Sequence, residues 1–125
     1  MEDQEKINKF RELEETGADE EMVNFTKAAW LTSRANHFGK IILFSESEQD
    51  STEAINFKSD YLPAYLSLAI ALTFRDKKTG QFHIEEGRRI LNRAPGDMKI
   101  SGKIIVSKVD IVNAFEEMVL ASKYL

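Results

Sequence analysis

The basic residues between positions 74 and 93 are the part of the sequence best suited to hold a ligand. The stretch "FRDKKTGQFHIEEGRRIL" (74–91) carries a charged turn followed by paired arginines. Clustered ammonium and guanidinium groups are the groups that bind phosphates and carboxylates. We therefore predict a ligand-binding surface for an anionic partner that is built from six basic side chains: Arg75, Lys77, Lys78, Arg88, Arg89 and Arg93.

Three rings near the predicted tip, those of Phe74, Phe82 and His83, would offer stacking surfaces to a nucleic acid. The alternative interpretation is structural, and the pattern favours it. Phe74 and Phe82 then belong to the core, and the charges keep an exposed strand edge from pairing with other chains. The separation of Arg88 and Arg89 from the tip also means that the six charges need not form one patch.

The remaining chemistry-bearing residues do not predict an active site or a metal site. His37 and His83 are far apart and neither lies in a zinc-binding spacing, and the chain has no cysteine. There is no nucleophile elbow or phosphate loop, and the adjacent glutamates are typical of solvated helix faces. We predict that the chain is not an enzyme and uses no cofactor or metal. A site assembled from His37, His83 and Glu85 is the weaker hypothesis.

The composition predicts one domain over residues 1–125. The chain has 125 residues, 42% of them hydrophobic, with 8 Phe, 3 Tyr and 1 Trp, which is enough for a single core. No apolar run approaches 18 residues and the first ten residues are polar, so we expect neither a membrane partner nor a secretory signal. The absence of cysteine suits a reducing compartment. These features together predict a cytoplasmic protein.

The charge distribution carries the functional prediction. Residues 1–25 hold nine acidic and three basic side chains, a net of −6, whereas residues 74–108 hold nine basic and four acidic ones, a net of +5. Such polarity suits contacts with another protein or with a second copy. We predict a small accessory or inhibitor-type protein that binds a protein partner and self-associates. The alternative is a binder of nucleic acid or a small phosphorylated ligand through a basic hairpin at 74–93.

The elements that would position these residues predict an α+β fold. Apolar spacing predicts helices over 2–16 and 19–36, the second capped by Asp19. "KIILF" (40–44) has the composition of a strand, 45–53 that of a polar surface loop, and 54–58 that of another short strand. A C-terminal helix follows Ser107 as its cap, with Asp110 completing a capping-box-like pair.

The stretch "YLPAYLSLAIALTFR" (61–75) is the hardest to interpret. Its leucine and alanine content suits a helix, but large and small side chains alternate strictly from Leu66 to Phe74, which favours a strand. Together with "RDKKTGQ" it predicts a central β-hairpin with a bulge or bend at Gly87. A turn over 92–97 and a strand over 98–106, kinked at Gly102, complete the prediction. The result is two N-terminal helices, an antiparallel sheet of three to five strands and one C-terminal helix.

Overall fold

The computed structural model describes residues 2–122, and most of them are helical. Within that range the chain forms six α-helices and one two-stranded antiparallel sheet. A single 3₁₀ turn, Lys77–Thr79, follows the fourth helix. The elements are α1 Gln4–Glu14, α2 Glu20–Lys40, α3 Phe44–Phe57, α4 Leu62–Phe74, α5 Ile84–Arg93, β1 Met98–Ile100, β2 Lys103–Val106 and α6 Lys108–Ser122. The predicted α+β fold with a sheet of three to five strands is wrong.

Three helices lie where the apolar spacing predicted them, as α1, α2 and α6. Aspartate carboxylates cap the N-terminal ends of α1 and α2. Asp3 accepts a hydrogen bond from the backbone N–H of Lys6 at 3.1 Å, and Asp19 accepts one from Met22 at 2.8 Å. At α6 the backbone N–H of Lys108 donates to the Asp97 carboxylate at 2.8 Å. Short polar side chains thus bind free N–H groups at the starts of α1 and α2, but α3, α4 and α5 begin without a side-chain cap, and at α6 the carboxylate comes from Asp97 and not from the predicted cap Ser107.

The predicted strand over 61–75 is helix α4, which occupies the centre of the fold. It contacts α2, α3, α5 and α6, and it is buried on several sides, from Leu62 and Ala64 to Leu72 and Phe74. A helix surrounded by other helices has no polar face, so its sequence loses the 3.6-residue periodicity that would identify it. The alternation of large and small residues does not correspond to a strand here, whereas the high helix propensity of Leu and Ala agrees with the observed helix.

The predictions over 40–58 are wrong for a related reason. Residues 37–40 continue α2 past the predicted end at Asn36, and 44–57 form helix α3 in place of a strand, a loop and a second strand. The buried face of α3 carries small and polar side chains, namely Ser47, Asp50, Ser51 and Ala54. Their spacing is helical, but because most of them are polar, the sequence shows no apolar stripe from which this helix could be predicted.

The central hairpin over 74–93 is likewise absent, because its second arm is helix α5. The described β structure is a hairpin at 98–106, where the sequence predicts one kinked strand. Ser101 and Gly102 form its turn, with φ angles of 52° and 79°. Two consecutive residues with positive φ are what a tight two-residue hairpin requires. Gly102 therefore turns the chain back on itself and does not bend a single strand.

The core has two parts that meet along α4. One is formed by α4, α5, α6 and β1, with Phe115 fully buried beside Leu91 and Met98. The other lies between α2, α3 and α4 around Leu31, and Phe10 of α1 packs against it. No helix within residues 2–122 has both the length and the apolar character needed to cross a bilayer.

A buried ionic cluster joins the first three helices. The Arg34 guanidinium of α2 donates to Asp50 of α3 at 2.6 and 2.9 Å and to Asp3, ahead of α1, at 2.9 and 2.5 Å. The same guanidinium lies 4.7 Å from the ring centre of Trp30. The hydrogen bonds from Arg34 lower the pKa of Asp3 from 3.8 to about 2. Charge attraction thus fastens α1 to the rest of the fold.

The lowered pKa of Asp3 predicts an acid-sensitive contribution to stability. A carboxylate whose pKa is lower in the folded chain stabilises the fold above its unfolded pKa and loses this effect as the pH falls through the folded value. Asp3→Asn should therefore be less stable than wild type near neutral pH, and the difference should shrink below about pH 4 and vanish near pH 2. Urea unfolding at several pH values, followed by Trp30 fluorescence, measures it. Asp19→Asn, the same change at the cap of α2, is the control. A difference that persisted unchanged at low pH would contradict the assignment.

Candidate functional site

The six predicted binding residues do not form one basic patch, because two of them are neutralised within the fold. Arg75 donates to both carboxylate oxygens of Glu86, at 2.8 and 2.9 Å, and so links the end of α4 to α5. Arg88 binds Glu116 at 2.7 and 2.8 Å and Glu85 at 2.5 Å, and so links α5 to α6. These hydrogen bonds raise the pKa of both arginines and lower the pKa of Glu86 and Glu116. Arg75 and Arg88 stabilise helix packing.

The other four predicted residues are exposed and form no ion pair within residues 2–122. They divide into two pairs. Lys77 and Lys78 lie on the 3₁₀ turn after α4, whereas Arg89 and Arg93 lie on α5. Only the lysine pair borders a concave surface with a substantial apolar lining. That surface is the strongest candidate site.

The concave surface is an apolar groove of about 610 Å³ at the end of the bundle where α2, α4 and α6 end and α3 begins. Two of its side chains are nearly half exposed, Ile42 at 49% and Met118 at 42%, and Phe82 is exposed at 37%. Its volume lies within the range of ligand pockets, roughly 300–1,000 Å³. Lys40 and Lys77 lie on its rim. We define the apolar groove by six side chains: Ile42, Phe44, Ile70, Phe74, Phe82 and Met118.

A second recess of about 580 Å³ continues the groove towards Lys78. It shares Ile42, Phe44 and Lys77 with the groove and adds Leu43, which is 42% exposed. The two recesses together make one extended surface with a largely apolar lining, bordered by charged side chains of both signs: Lys40, Arg75, Lys77, Lys78, Glu46 and Glu48. Contiguous exposed apolar surface of this kind typically marks a place where another molecule binds.

Ile42 occupies a backbone position that strongly favours glycine. The N–H of Leu43 donates to the carbonyl of Phe38 at 2.8 Å, and the N–H of Ile42 donates to that of Gly39 at 3.1 Å. This pair of bonds is a Schellman motif, which ends a helix with one residue in the left-handed conformation, usually Gly. Here that residue is Ile42, with φ of 58°. A β-branched side chain in this conformation is strained, and such strain is concentrated at functional positions.

Replacing Ile42 by glycine should therefore increase stability. Glycine removes the steric cost of the positive φ, and this gain exceeds its greater entropy in the unfolded chain, so we expect a net increase of about 1 kcal/mol in the free energy of unfolding. Urea denaturation followed by Trp30 fluorescence measures it. Ile41→Gly is the matched control, because Ile41 is equally exposed at 48% but has an ordinary φ of −99°. Ile41→Gly should not stabilise the chain, and equal effects of the two changes would contradict the strain at Ile42.

His83 is held by a carboxylate, but no third group of a catalytic triad accompanies it within the part of the chain that the structure describes. Its Nε2 lies 2.6 Å from Asp76 Oδ2, and its backbone N–H donates to the Thr73 carbonyl at 2.9 Å. No hydroxyl of residues 2–122 forms a hydrogen bond with the imidazole ring. The contact closes the turn between α4 and α5. Within the same range no cluster of three potential metal ligands occurs.

The apolar groove is not predicted from the sequence, although most of its residues lie in stretches that the sequence marks as apolar. "KIILF" has the pattern of a buried strand, and Phe82 that of a core residue. The available signal is the position of three consecutive apolar residues, Ile41, Ile42 and Leu43, between a helix end and a polar segment. Such a run is too short for a strand that crosses a core, and in a helix connection it must be largely exposed.

Comparison of the chain with protein-family models, with curated proteins and with solved structures gives no match.

Proposed function

We propose that this chain is a non-enzymatic binding protein that contacts a protein partner through the apolar groove. The observation that carries the proposal is Ile42, a β-branched apolar residue that lies exposed in a conformation suited to glycine. Folding alone favours glycine at this position, so the isoleucine is best explained by a gain on binding. Leu43, Phe82 and Met118 extend the same exposed surface.

The backbone around the groove favours a helical segment of the partner. The described lining residues belong to helices and turns, and neither β1 nor β2 contributes a residue. An extended peptide would therefore find no strand edge with which to pair, and its buried N–H and C=O groups would lack partners. A helix satisfies these groups internally and can lay one apolar face in the groove. Lys40, Lys77 and Lys78 would then contact polar side chains at the margins of that helix.

Recognition of nucleic acid receives less support from the same contacts. Phe74, one of the three predicted stacking rings, is only 8% exposed and packs edge-on against Phe82 with their ring centres 5.6 Å apart. Arg75 and Arg88 are engaged by carboxylates. The apolar groove would also contribute nothing to the binding of phosphate groups.

Photo-crosslinking from the groove tests the proposal. A benzophenone amino acid is introduced at Leu43 or at Met118 in the intact chain, and cells that express the protein are irradiated. The matched control places the same group at Asn113, an exposed position on α6 outside the groove. We expect the same discrete protein adduct from Met118 in the groove and from Leu43 in the adjoining recess, its absence from Asn113, and its loss when Phe82→Ser is added.

Three outcomes would contradict the proposal. Identical adducts from Asn113 and from the groove would show non-specific contact. An adduct removed by nuclease would make the surface a nucleic-acid site. An adduct of twice the chain mass, with a dimer in sedimentation equilibrium that Phe82→Ser dissociates, would mean that the groove binds a second copy, which is the predicted self-association. Circular dichroism of each variant excludes unfolding as the cause of a lost adduct.

A further inference from the structure

The hairpin of β1 and β2 exposes apolar side chains on both of its faces. Ile100, Ile104 and Ile105 are 51%, 55% and 47% exposed, although isoleucine is usually buried. Cross-strand neighbours share a face, and here Lys99 is paired with Ile104, and Ile100 with Lys103. Each face of the hairpin therefore carries isoleucine beside lysine. We call residues 98–106 the Ile/Lys hairpin.

The base of the Ile/Lys hairpin is anchored while its turn extends into solvent. Met98, at the start of β1, is 2% exposed and packs in the core with Phe115, and its partner Val106 is partly buried. Residues 99–105, including the Ser101–Gly102 turn, are all exposed. The hairpin is thus a projection held by its two ends.

The charge of this projection is positive throughout. Residues 98–106 contain Lys99 and Lys103 and no carboxylate side chain. The preceding Asp97 already accepts the backbone N–H of Lys108 at 2.8 Å. A partner must therefore offer negative charge together with an apolar phase for the isoleucines.

We propose that the Ile/Lys hairpin docks the chain on an anionic lipid bilayer. At a bilayer interface, apolar side chains enter the boundary of the acyl chains while lysines contact anionic headgroups. A nucleic acid would bind the lysines but would leave the isoleucines in water, and a second copy of the hairpin would bring lysines of equal charge together. This proposal departs from the prediction of no membrane partner, because that prediction rests on the absence of a long apolar run and surface docking needs no spanning segment.

Co-sedimentation with lipid vesicles tests this proposal independently of the groove. The full chain is mixed with vesicles of phosphatidylcholine alone, or with about a third phosphatidylserine, at low and at moderate salt. We expect binding only to the vesicles that contain phosphatidylserine, and weaker binding as the salt rises. The binding should be reversible, because few side chains insert.

Two hairpin variants and one matched control locate the contact. Lys99→Glu/Lys103→Glu should reduce the partition constant about tenfold or more, since each lysine near an anionic surface contributes separately. Ile104→Ser/Ile105→Ser should reduce it as well, with the charge unchanged. Lys77→Glu/Lys78→Glu makes the same charge change at the groove and should have a much smaller effect. Circular dichroism and Trp30 fluorescence check that each variant is folded.

A fluorescent label on the hairpin turn gives a second measurement. The chain has no cysteine, so Ser101→Cys creates a unique site for an environment-sensitive dye such as NBD. Phosphatidylserine vesicles should shift its emission to the blue, whereas the same dye at Asn113→Cys should not respond. The proposal is overturned if both lysine pairs matter equally, if Ile104→Ser/Ile105→Ser binds as wild type, or if labelled single-stranded DNA binds in place of the vesicles.

Discussion

Gly87→Ala is expected to lower the free energy of unfolding by about 3 kcal/mol, as overpacking of a closely fitted core does. A Cβ atom at position 87 would lie 2.6 Å from Cζ of Phe115 and 3.0 Å from the Ala69 carbonyl oxygen, and closer still to Oγ1 of Thr73. Separations this short are strongly repulsive. Gly87 thus lets α4, α5 and α6 approach one another at a single point.

The residues around Gly87 cannot move aside without a large cost in free energy. Phe115 and Thr73 are fully buried, and the Thr73 hydroxyl donates to the Ala69 carbonyl at 2.7 Å. Moving either side chain disturbs the core or breaks a buried hydrogen bond. The added methyl group must therefore push whole helices apart, and the lost packing supplies the cost.

Urea denaturation of Gly87→Ala measures the effect, and the chain offers a close control. A Cβ atom at Gly96 would have open space around it, with no obstructing atom within 4 Å, and Gly96 has no positive φ. Gly96→Ala should therefore change stability by less than about 0.5 kcal/mol. Thr73→Ala added to Gly87→Ala removes the nearest obstructing atom and should restore part of the loss. Equal stabilities of Gly87→Ala and Gly96→Ala would show that the three helices are not in such close contact.

Arg34→Met is expected to have a comparable effect, a loss of about 3 kcal/mol. The Asp50 side chain is only 7% exposed, and two nitrogens of Arg34 bind it. Removing the guanidinium leaves this carboxylate buried without its cation, and also releases Asp3 and thus α1. Methionine keeps much of the aliphatic length of arginine. The decrease in the free energy of unfolding therefore measures the loss of the charge and its hydrogen bonds more than the change in side-chain volume.

A double variant separates the buried charge from the packing. Arg34→Met/Asp50→Leu removes both members of the pair and should be more stable than Arg34→Met alone, because no carboxylate remains uncompensated. Arg93→Met, at an exposed arginine with no ion pair in residues 2–122, is the control and should stay within about 0.5 kcal/mol of wild type. If Arg34→Met resembled Arg93→Met, the cluster would not stabilise the fold.

Local signals allow part of the fold to be predicted from the sequence. Asp3 and Asp19 bind the first turns of α1 and α2, and this chemistry depends on neighbouring residues only. Helix α4 cannot be identified by its periodicity, since neighbours on several sides remove its polar face. Helix α3 is concealed because Asp50 is buried only by virtue of Arg34, a partner that the sequence places 16 positions away.

The six binding residues are predicted from their basic side chains alone. The side-chain type does not show whether a carboxylate in the folded chain neutralises a given charge. Arg75 and Arg88 meet Glu86 and Glu116 only once α5 is helical, so a strand interpretation leaves them free. Lys77 and Lys78 lie in a 3₁₀ turn between two helices and not at the tip of the predicted hairpin. The apolar groove beside them is built from four separate stretches of the chain, at 42–44, 70–74, 82 and 118. A surface of this kind exists only after folding.

The order in which the helices pack has a consequence for the speed of folding. Helix α2 packs along α3, α3 along α4, and α4 along α5, so most tertiary contacts join elements that follow one another in the chain. Closing the short loops between them costs little entropy. Chains with such low contact order fold in microseconds to milliseconds. The apolar residues that the bundle buries, such as those of α4, therefore have little time to meet other unfolded chains before the core closes.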